Sequence, residues 1–239
     1  MNDGYQPAKR AGLFEATVQK LFTRRAHVVD IVDIGSAFRI ITLGGDGLRH
    51  VAWTPGDKVQ VQLGGWVQRT YTPIDWDPIA GRTRILVYLH ADGPGTQWAR
   101  MVRKGDDCIL FGPRKSLQPA PASVIVFGDE TALGLAAALH GPATHVLLEV
   151  SSLEQALPVL GHLGLDSAHA CARVDGDAHL VELETRLSAL LMTDPGAEIV
   201  LAGRAGAIQH MTRFLRQTEV GSGRRQSKAY WAPGKKGLD

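Results

Sequence analysis

Cysteine is nearly absent. The 239 residues hold two, Cys108 and Cys171, far apart in sequence and in no Cys-x-x-Cys pair. An ordinary iron–sulfur cluster or an all-cysteine zinc site takes four thiolates, so this chain supplies neither alone. A disulfide framework is not expected either. The nine histidines show no metal-ligand spacing, the nearest pair, His140 and His145, being separated by Gly141-Pro142. Any electrons handled here travel on a group held non-covalently, or through His or carboxylate ligands. No apolar run reaches the roughly 18 residues of a membrane-spanning helix, and Met1–Val18 lacks the apolar stretch of a signal peptide. A soluble cytoplasmic protein is expected. No charge predominates: 26 Lys+Arg stand against 24 Asp+Glu, a formal +2, which gives no ground for a nucleic-acid partner. Gly-x-Ser-x-Gly, His-Glu-x-x-His, the P-loop and Gly-x-Gly-x-x-Gly are all missing.

What is present is ordinary globular composition, 44% hydrophobic and 21% charged, at a length suited to one large domain or two modest ones. The first half carries short β-type segments at Phe14–Phe22, His27–Ile34, Phe38–Leu43, Lys58–Leu63, Thr70–Ile74, Arg84–His90 and Asp107–Phe111. Gly/Pro/Asp turns punctuate them, and one helix is predicted over Thr96–Val102. That rhythm predicts an antiparallel β-barrel or sandwich. In the second half, apolar strands at Ser123–Phe127, His145–Val150, Ala170–Val174 and Glu198–Ala202 alternate with helices at Ala132–Leu139, Leu180–Leu191 and Ala207–Gln217. Arg225–Trp231 is read as a closing strand. Buried strands alternating with helices predict a parallel α/β sheet. The seam Gly112–Ala122 holds three prolines and reads as a linker, giving domains 1–117 and 118–239.

Four segments carry possible chemistry. Arg69-Thr70-Tyr71-Thr72 lies on a β-segment, where alternation puts Arg69 and Tyr71 on one face and Thr72 on the other unless the strand bends. An arginine fork suits a diphosphate and an aromatic ring a flat heterocycle. The plainer alternative is a surface arginine beside a β-forming tyrosine. His90-Ala-Asp-Gly-Pro-Gly95-Thr96-Gln97-Trp98 is a turn into a helix, whose free amides attract phosphate, or simply a capped helix with Trp98 in the core. Gly128-Asp129-Glu130-Thr131 follows the first strand of the α/β half, and Glu198–Gly206 repeats that strand-to-glycine form. Ligands bind beyond such strand ends, although Asp129 or Thr131 would equally serve as a helix cap. Tyr230-Trp231-Ala-Pro-Gly234-Lys235-Lys236 places two aromatics and two lysines near the end of the chain, in a tail rich in Lys and Arg.

In this order the segments resemble the siderophore-interacting proteins, flavin-dependent ferric-siderophore reductases within the ferredoxin-reductase-like group. Further matching pieces are Gly105-Asp106, Gly112-Pro113, Ala132-Leu133, Leu148-Glu149-Val150 and Ala202-Gly203. The resemblance implies a β-barrel holding FAD and an α/β domain receiving NADH or NADPH. It implies that Arg69 neutralises the flavin phosphates, that Thr70 beside it belongs to the cofactor site, and that the catalytic pair is Tyr71, lying by the isoalloxazine, and Thr72, near its redox-active nitrogen. Gly95, Thr96 and Gln97 would take the diphosphate, with His90 and Trp98 alongside. Asp129, Glu130 and Thr131 would line the nicotinamide side with Gly203 beneath it, and Tyr230 and Trp231 would be further cofactor contacts. The implied acceptor is a ferric siderophore, with Lys235, Lys236 and Arg204 as candidate contacts and Arg114 and Lys115 as weaker ones. Reduced ferredoxin stands as another possible donor. Two positions depart from the family pattern: Gly134-Leu135 replaces the usual Pro-Ala, and Arg204 replaces a glutamate. Two alternatives stay open, a flavin reductase or electron-transfer protein with another acceptor, and a ferric-chelate-binding protein without turnover.

Overall fold

The computed structural model describes residues 23–64, 67–90, 92–120, 123–218 and 222–235. The segment Phe14–Phe22, read as a strand, lies outside them. The first half forms β1 (Thr23–Ile34), β2 (Phe38–Gly44), β3 (Lys58–Gly64), β4 (Val67–Tyr71), β5 (Pro73–Asp77), β6 (Arg82–Tyr88), helix α1 (Pro94–Met101) and β7 (Asp107–Arg114). Its seven strands pair antiparallel in the order β4-β3-β7-β1-β2-β6-β5. The sheet curls around one apolar interior: Val28, Ile41, Leu43, Val59, Val61, Ile85, Val87 and Leu110 meet Trp76 of β5 and Tyr71 of β4 there.

The second half forms β8 (Val124–Gly128), α2 (Leu133–Ala138), β9 (Thr144–Val150), α3 (Leu153–His162), β10 (His169–Ala172), α4 (Leu180–Thr193), β11 (Glu198–Arg204), α5 (Ala205–Gln217) and β12 (Arg225–Trp231). Its five strands are parallel, in the order β10-β9-β8-β11-β12. Every residue of β8 is buried. Val124 and Val126 serve the core on one face, Ile125 and Phe127 the core on the other, as expected of a strand covered on both sides.

The two sheets share a core. Phe38 and Ile40 of β2, Ile74 of β5 and Leu86 of β6 point out of the barrel and join Val126, Leu133, Leu135 and Leu148 in one cluster. This explains the lack of alternation in Arg39-Ile40-Ile41-Thr42: one face of β2 fills the barrel and the other packs on the α/β half. The seam is likewise no free linker. Leu117 is buried and donates its amide to Gly56 O. A side chain on Gly56 would strike the Leu117 carbonyl at 1.7 Å, so only glycine fits there. Gln118 bonds Asp57 Oδ1 at 2.6 Å and exchanges bonds with Gln226 of β12. The cysteines are both buried and unpaired, and burial pushes each thiol up to about 11, as suits structural rather than reactive residues.

Candidate functional site

The segment expected to run as one strand over Thr70–Ile74 breaks at Thr72. Tyr71 ends β4, and Pro73, which has no amide hydrogen, begins β5. Arg69 and Tyr71 stand opposite Val61 and Val59 of β3, while Thr70 stands opposite Gln60 on the other face. The start of α1 packs directly on this strand. A side chain at Gly95 would come within 3.1 Å of the Tyr71 hydroxyl and 3.4 Å of Arg69 Cγ, so glycine allows the approach. Gly93 supplies no side-chain cap, which leaves the first amides of α1 uncapped by any side chain. Arg69 Nη1 donates to Gln68 O at 2.7 Å, and among the described residues Arg69 forms no ion pair. The Thr70 hydroxyl is buried with no hydrogen-bond partner. Thr96 is buried, Gln97 is exposed with Nε2 donating to Asp92 O, and Trp98 packs on the barrel core 6.4 Å from the Tyr71 ring.

On the α/β side the carboxyl ends of β8, β9, β10, β11 and β12 converge. Asp129 is completely buried. Its carboxylate accepts the Thr131 amide at 2.8 Å, the Thr131 hydroxyl, and the Trp231 indole N–H at 2.7 Å. Burial pushes its carboxyl above the usual range, and the Thr131 and Trp231 donors oppose that rise. A side chain at Gly203, whose φ is +111°, would overlap this carboxylate at 2.6 Å. Tyr230 is hydrogen-bonded to Thr72, and burial pushes its phenol up to about 12. The last strand therefore touches both the β4–β5 break and the first loop of the α/β half. His90 stacks on Tyr88 at 4.7 Å and lies 6.5 Å from Trp231, so Phe38, Tyr88, His90 and Trp231 form an aromatic row where the sheets meet.

Three placements correct the expectations. Asp129 and Glu130 do not face an open nicotinamide pocket. Asp129 is enclosed as described, and Glu130 is buried against the Ser151 amide and hydroxyl, with both its oxygens within 3.1 Å of Arg173 Nη2. Arg204 is no free cation for a chelate. It forks onto Glu149 at 2.8 and 2.7 Å and onto Asp177 at 3.1 and 2.8 Å. Those carboxylates raise its already high pKa. Lys235 is exposed, and Lys236 lies outside the described residues. The sequence reading missed Tyr88, Arg173, Asp177 and His179, and gave Glu149 no role. Arg173 lies 5.7 Å over the Trp231 ring. Glu149 accepts from His179 Nε2 at 2.7 Å, while His179 Nδ1 accepts the Val174 amide. The signal available for Glu149 was a lone charge inside the apolar strand Leu147–Val150, which requires a partner.

Comparison with known proteins finds a family match within the first half of the chain. Residues 64–117, which span Arg69–Thr72 and all of α1, match the siderophore-interacting FAD-binding domain. That segment resembles the FAD-binding part of the siderophore-interacting proteins. The siderophore-interacting protein SipS from Aeromonas hydrophila superposes with a TM-score of 0.70 at 25% identity, over 90% of this chain and 93% of that one. A siderophore utilization protein from T. fusca gives 0.69 at 22%, over 91% and 95%. The ferredoxin reductase in carbazole 1,9a-dioxygenase shares the two-part fold, with 0.71 at 18% over 87% and 69%. Together these support flavin-dependent electron transfer by an FAD-binding protein of ferredoxin-reductase-like fold. The site fits FAD on its own geometry. Arg69 has no acidic partner among the described residues, Thr70 holds an orphaned buried hydroxyl, and Gly95 leaves a cradle beside the uncapped start of α1. No helix among the described residues is long and apolar enough to cross a membrane.

Proposed function

We propose that this protein is an FAD-dependent reductase that passes electrons from a reduced nicotinamide dinucleotide to ferric iron in a siderophore, releasing ferrous iron. Residues 1–117 are assigned to the flavin and 118–239 to the dinucleotide. The carrying observation is the family match over the segment whose side chains the structure leaves available for a flavin diphosphate. When bound, FAD takes up two electrons and hands them on singly. The chain's own residues hold and shield it. Arg69 and the first amides of α1 bind the diphosphate. The Tyr71 ring and its neighbour Trp98 would hold the isoalloxazine. Thr72, held by Tyr230, would offer its hydroxyl to the flavin's redox-active nitrogen. Tyr230 and Trp231 cover that edge and keep water from it.

Reduction releases the iron because hard oxygen ligands hold the ferrous ion far more weakly than the ferric one. Lys235, Lys236 and Lys115 stand as candidate contacts for an anionic chelate, with Arg204 withdrawn from that role. The test is anaerobic. Flavin-loaded protein is reduced with NADH or NADPH and then mixed with ferric siderophores, free flavin and quinones. Ferrous iron captured by a chromogenic chelator, faster than flavin reoxidation by the other acceptors, supports the proposal. Protein that takes up no flavin, or whose flavin never bleaches with a donor, refutes it.

A further inference from the structure

The near-zero net charge conceals a strong segregation. Between Ser116 and Gly203 the chain has two basic residues, Arg173 and Arg186, against eleven acidic ones, a formal −9. This stretch builds four of the five parallel strands and their carboxyl edge. In sheets of this type ligands lie beyond the strand carboxyl ends. The residues some twenty positions after the first strand's turn then meet the adenosine ribose. A carboxylate there accepts a 2′-hydroxyl, and a cation there accommodates a 2′-phosphate.

In this protein that place is the β9–α3 turn, Ser151–Glu154, and it offers a 2′-phosphate no free cation. The Ser151 amide and hydroxyl are both spent on Glu130. Ser152 accepts the Gln155 amide as the cap of α3. Glu154 stands exposed in the first turn of that helix. The two arginines of the edge are already neutralised, Arg173 by Glu130 and Arg204 by Glu149 and Asp177. A phosphate placed at this turn would face the exposed Glu154, while Glu130 keeps both Ser151 and Arg173 engaged and so leaves no free donor or cation there among the described residues.

We infer that the electron donor is NADH, and that the β9–α3 turn with Glu130 behind it selects against the 2′-phosphate of NADPH. The inference rests on the assignment of the α/β half to the dinucleotide. Binding separates the two ideas. Flavin-loaded protein is titrated by calorimetry with NAD+ and NADP+, which bind without reacting, at low and at high salt. NAD+ is expected to bind about tenfold more tightly at low salt, with the gap narrowing at high salt as screening weakens the repulsion. The Glu154→Lys variant changes an exposed residue and keeps the fold. It should tighten NADP+ by about fivefold and leave NAD+ within about twofold. Glu130→Gln, which removes the charge and keeps the shape, should move NADP+ in the same direction. Equal or tighter binding of NADP+ to the unaltered protein overturns the inference, as does an unchanged ratio in both variants. Binding of neither nucleotide overturns the assignment of the half itself, a distinct result.

Discussion

Glu149 has no exposed surface, yet it carries a charge, and it survives in the core because its oxygens meet Arg204 twice and His179 once. The Val174 amide donates to His179 Nδ1, and Nε2 faces Glu149 at 2.7 Å. Removing one member of a buried pair costs more than the pair is worth, because the other charge is stranded. Arg204→Ala should therefore destabilise the protein by about 3–5 kcal/mol in urea unfolding. The double variant Arg204→Met with Glu149→Leu should recover most of the loss, since neither charge is then buried alone. Asp177 gives the same cluster a pH signature. Its carboxyl is held below the usual range, chiefly by the Arg204 hydrogen bonds. That stabilisation is complete above the unfolded value near 3.9 and is lost as pH falls through the lower folded value. Acid unfolding of the wild type should thus show a step below about pH 4 that Asp177→Asn lacks. Trp231→Phe removes one of three donors to Asp129. It should cost about 1–3 kcal/mol and push that carboxyl further up, so its midpoint loss should shrink on acidification.

At the scale of elements, α2 sits close enough to the barrel for one residue to matter. A Cβ at Gly134 would lie 3.1 Å from the Thr72 carbonyl, so either the helix or the β4–β5 break must yield. Alanine improves helix propensity by about 1 kcal/mol, which opposes the strain in global stability. Gly134→Ala should accordingly leave the melting temperature nearly unchanged while weakening flavin affinity several-fold, read by fluorescence titration. A large fall in melting temperature with intact flavin affinity would place the strain elsewhere. Most elements were legible because their punctuation is strong: β1, β2, β3, β6 to β9, β11 and β12 all contain or overlap the segments read from apolar runs between turns. Helix α3 was not. It contains Pro158 and Gly161, which argue against a helix, and the sign in its favour was Ser152 with Gln155 three residues on, the start of a capping box. The break at Thr72 was invisible because alternation continues through it, whereas the strand changes partner from β3 to β6. The site divided the same way. Arg69 to Thr72 and the start of α1 could be found by residue type, but the roles of Glu149, Arg173 and Arg204 depend on partners 24 to 55 positions away, which local pattern does not show.

The whole molecule behaves as one object because its two sheets bury a common core. Phe38, Ile40, Ile74 and Leu86 leave the barrel face-out, and Val126, Leu133 and Leu148 of the α/β half meet them from the other side. Separating the halves would expose this cluster, and each large apolar side chain returned to water costs about 1.5–3 kcal/mol. Several such residues together exceed the usual margin of a domain, about 5–15 kcal/mol. Neither half is thus expected to hold its structure alone. Thermal and urea unfolding should show a single transition in which far-UV ellipticity, reporting both sheets, coincides with the fluorescence of Trp98 and Trp76 in the barrel and Trp231 at the junction. Replacing Phe38 with alanine tests the coupling itself. The residue belongs to the barrel strand β2 but is nearly fully buried against the other half. Its loss should cost about 3–5 kcal/mol. If the core is shared, the variant's single transition shifts downward as a whole, because the cavity weakens both sheets at once. Two separated transitions, with only the barrel's tryptophans moving early, would show instead that the halves fold independently and merely touch.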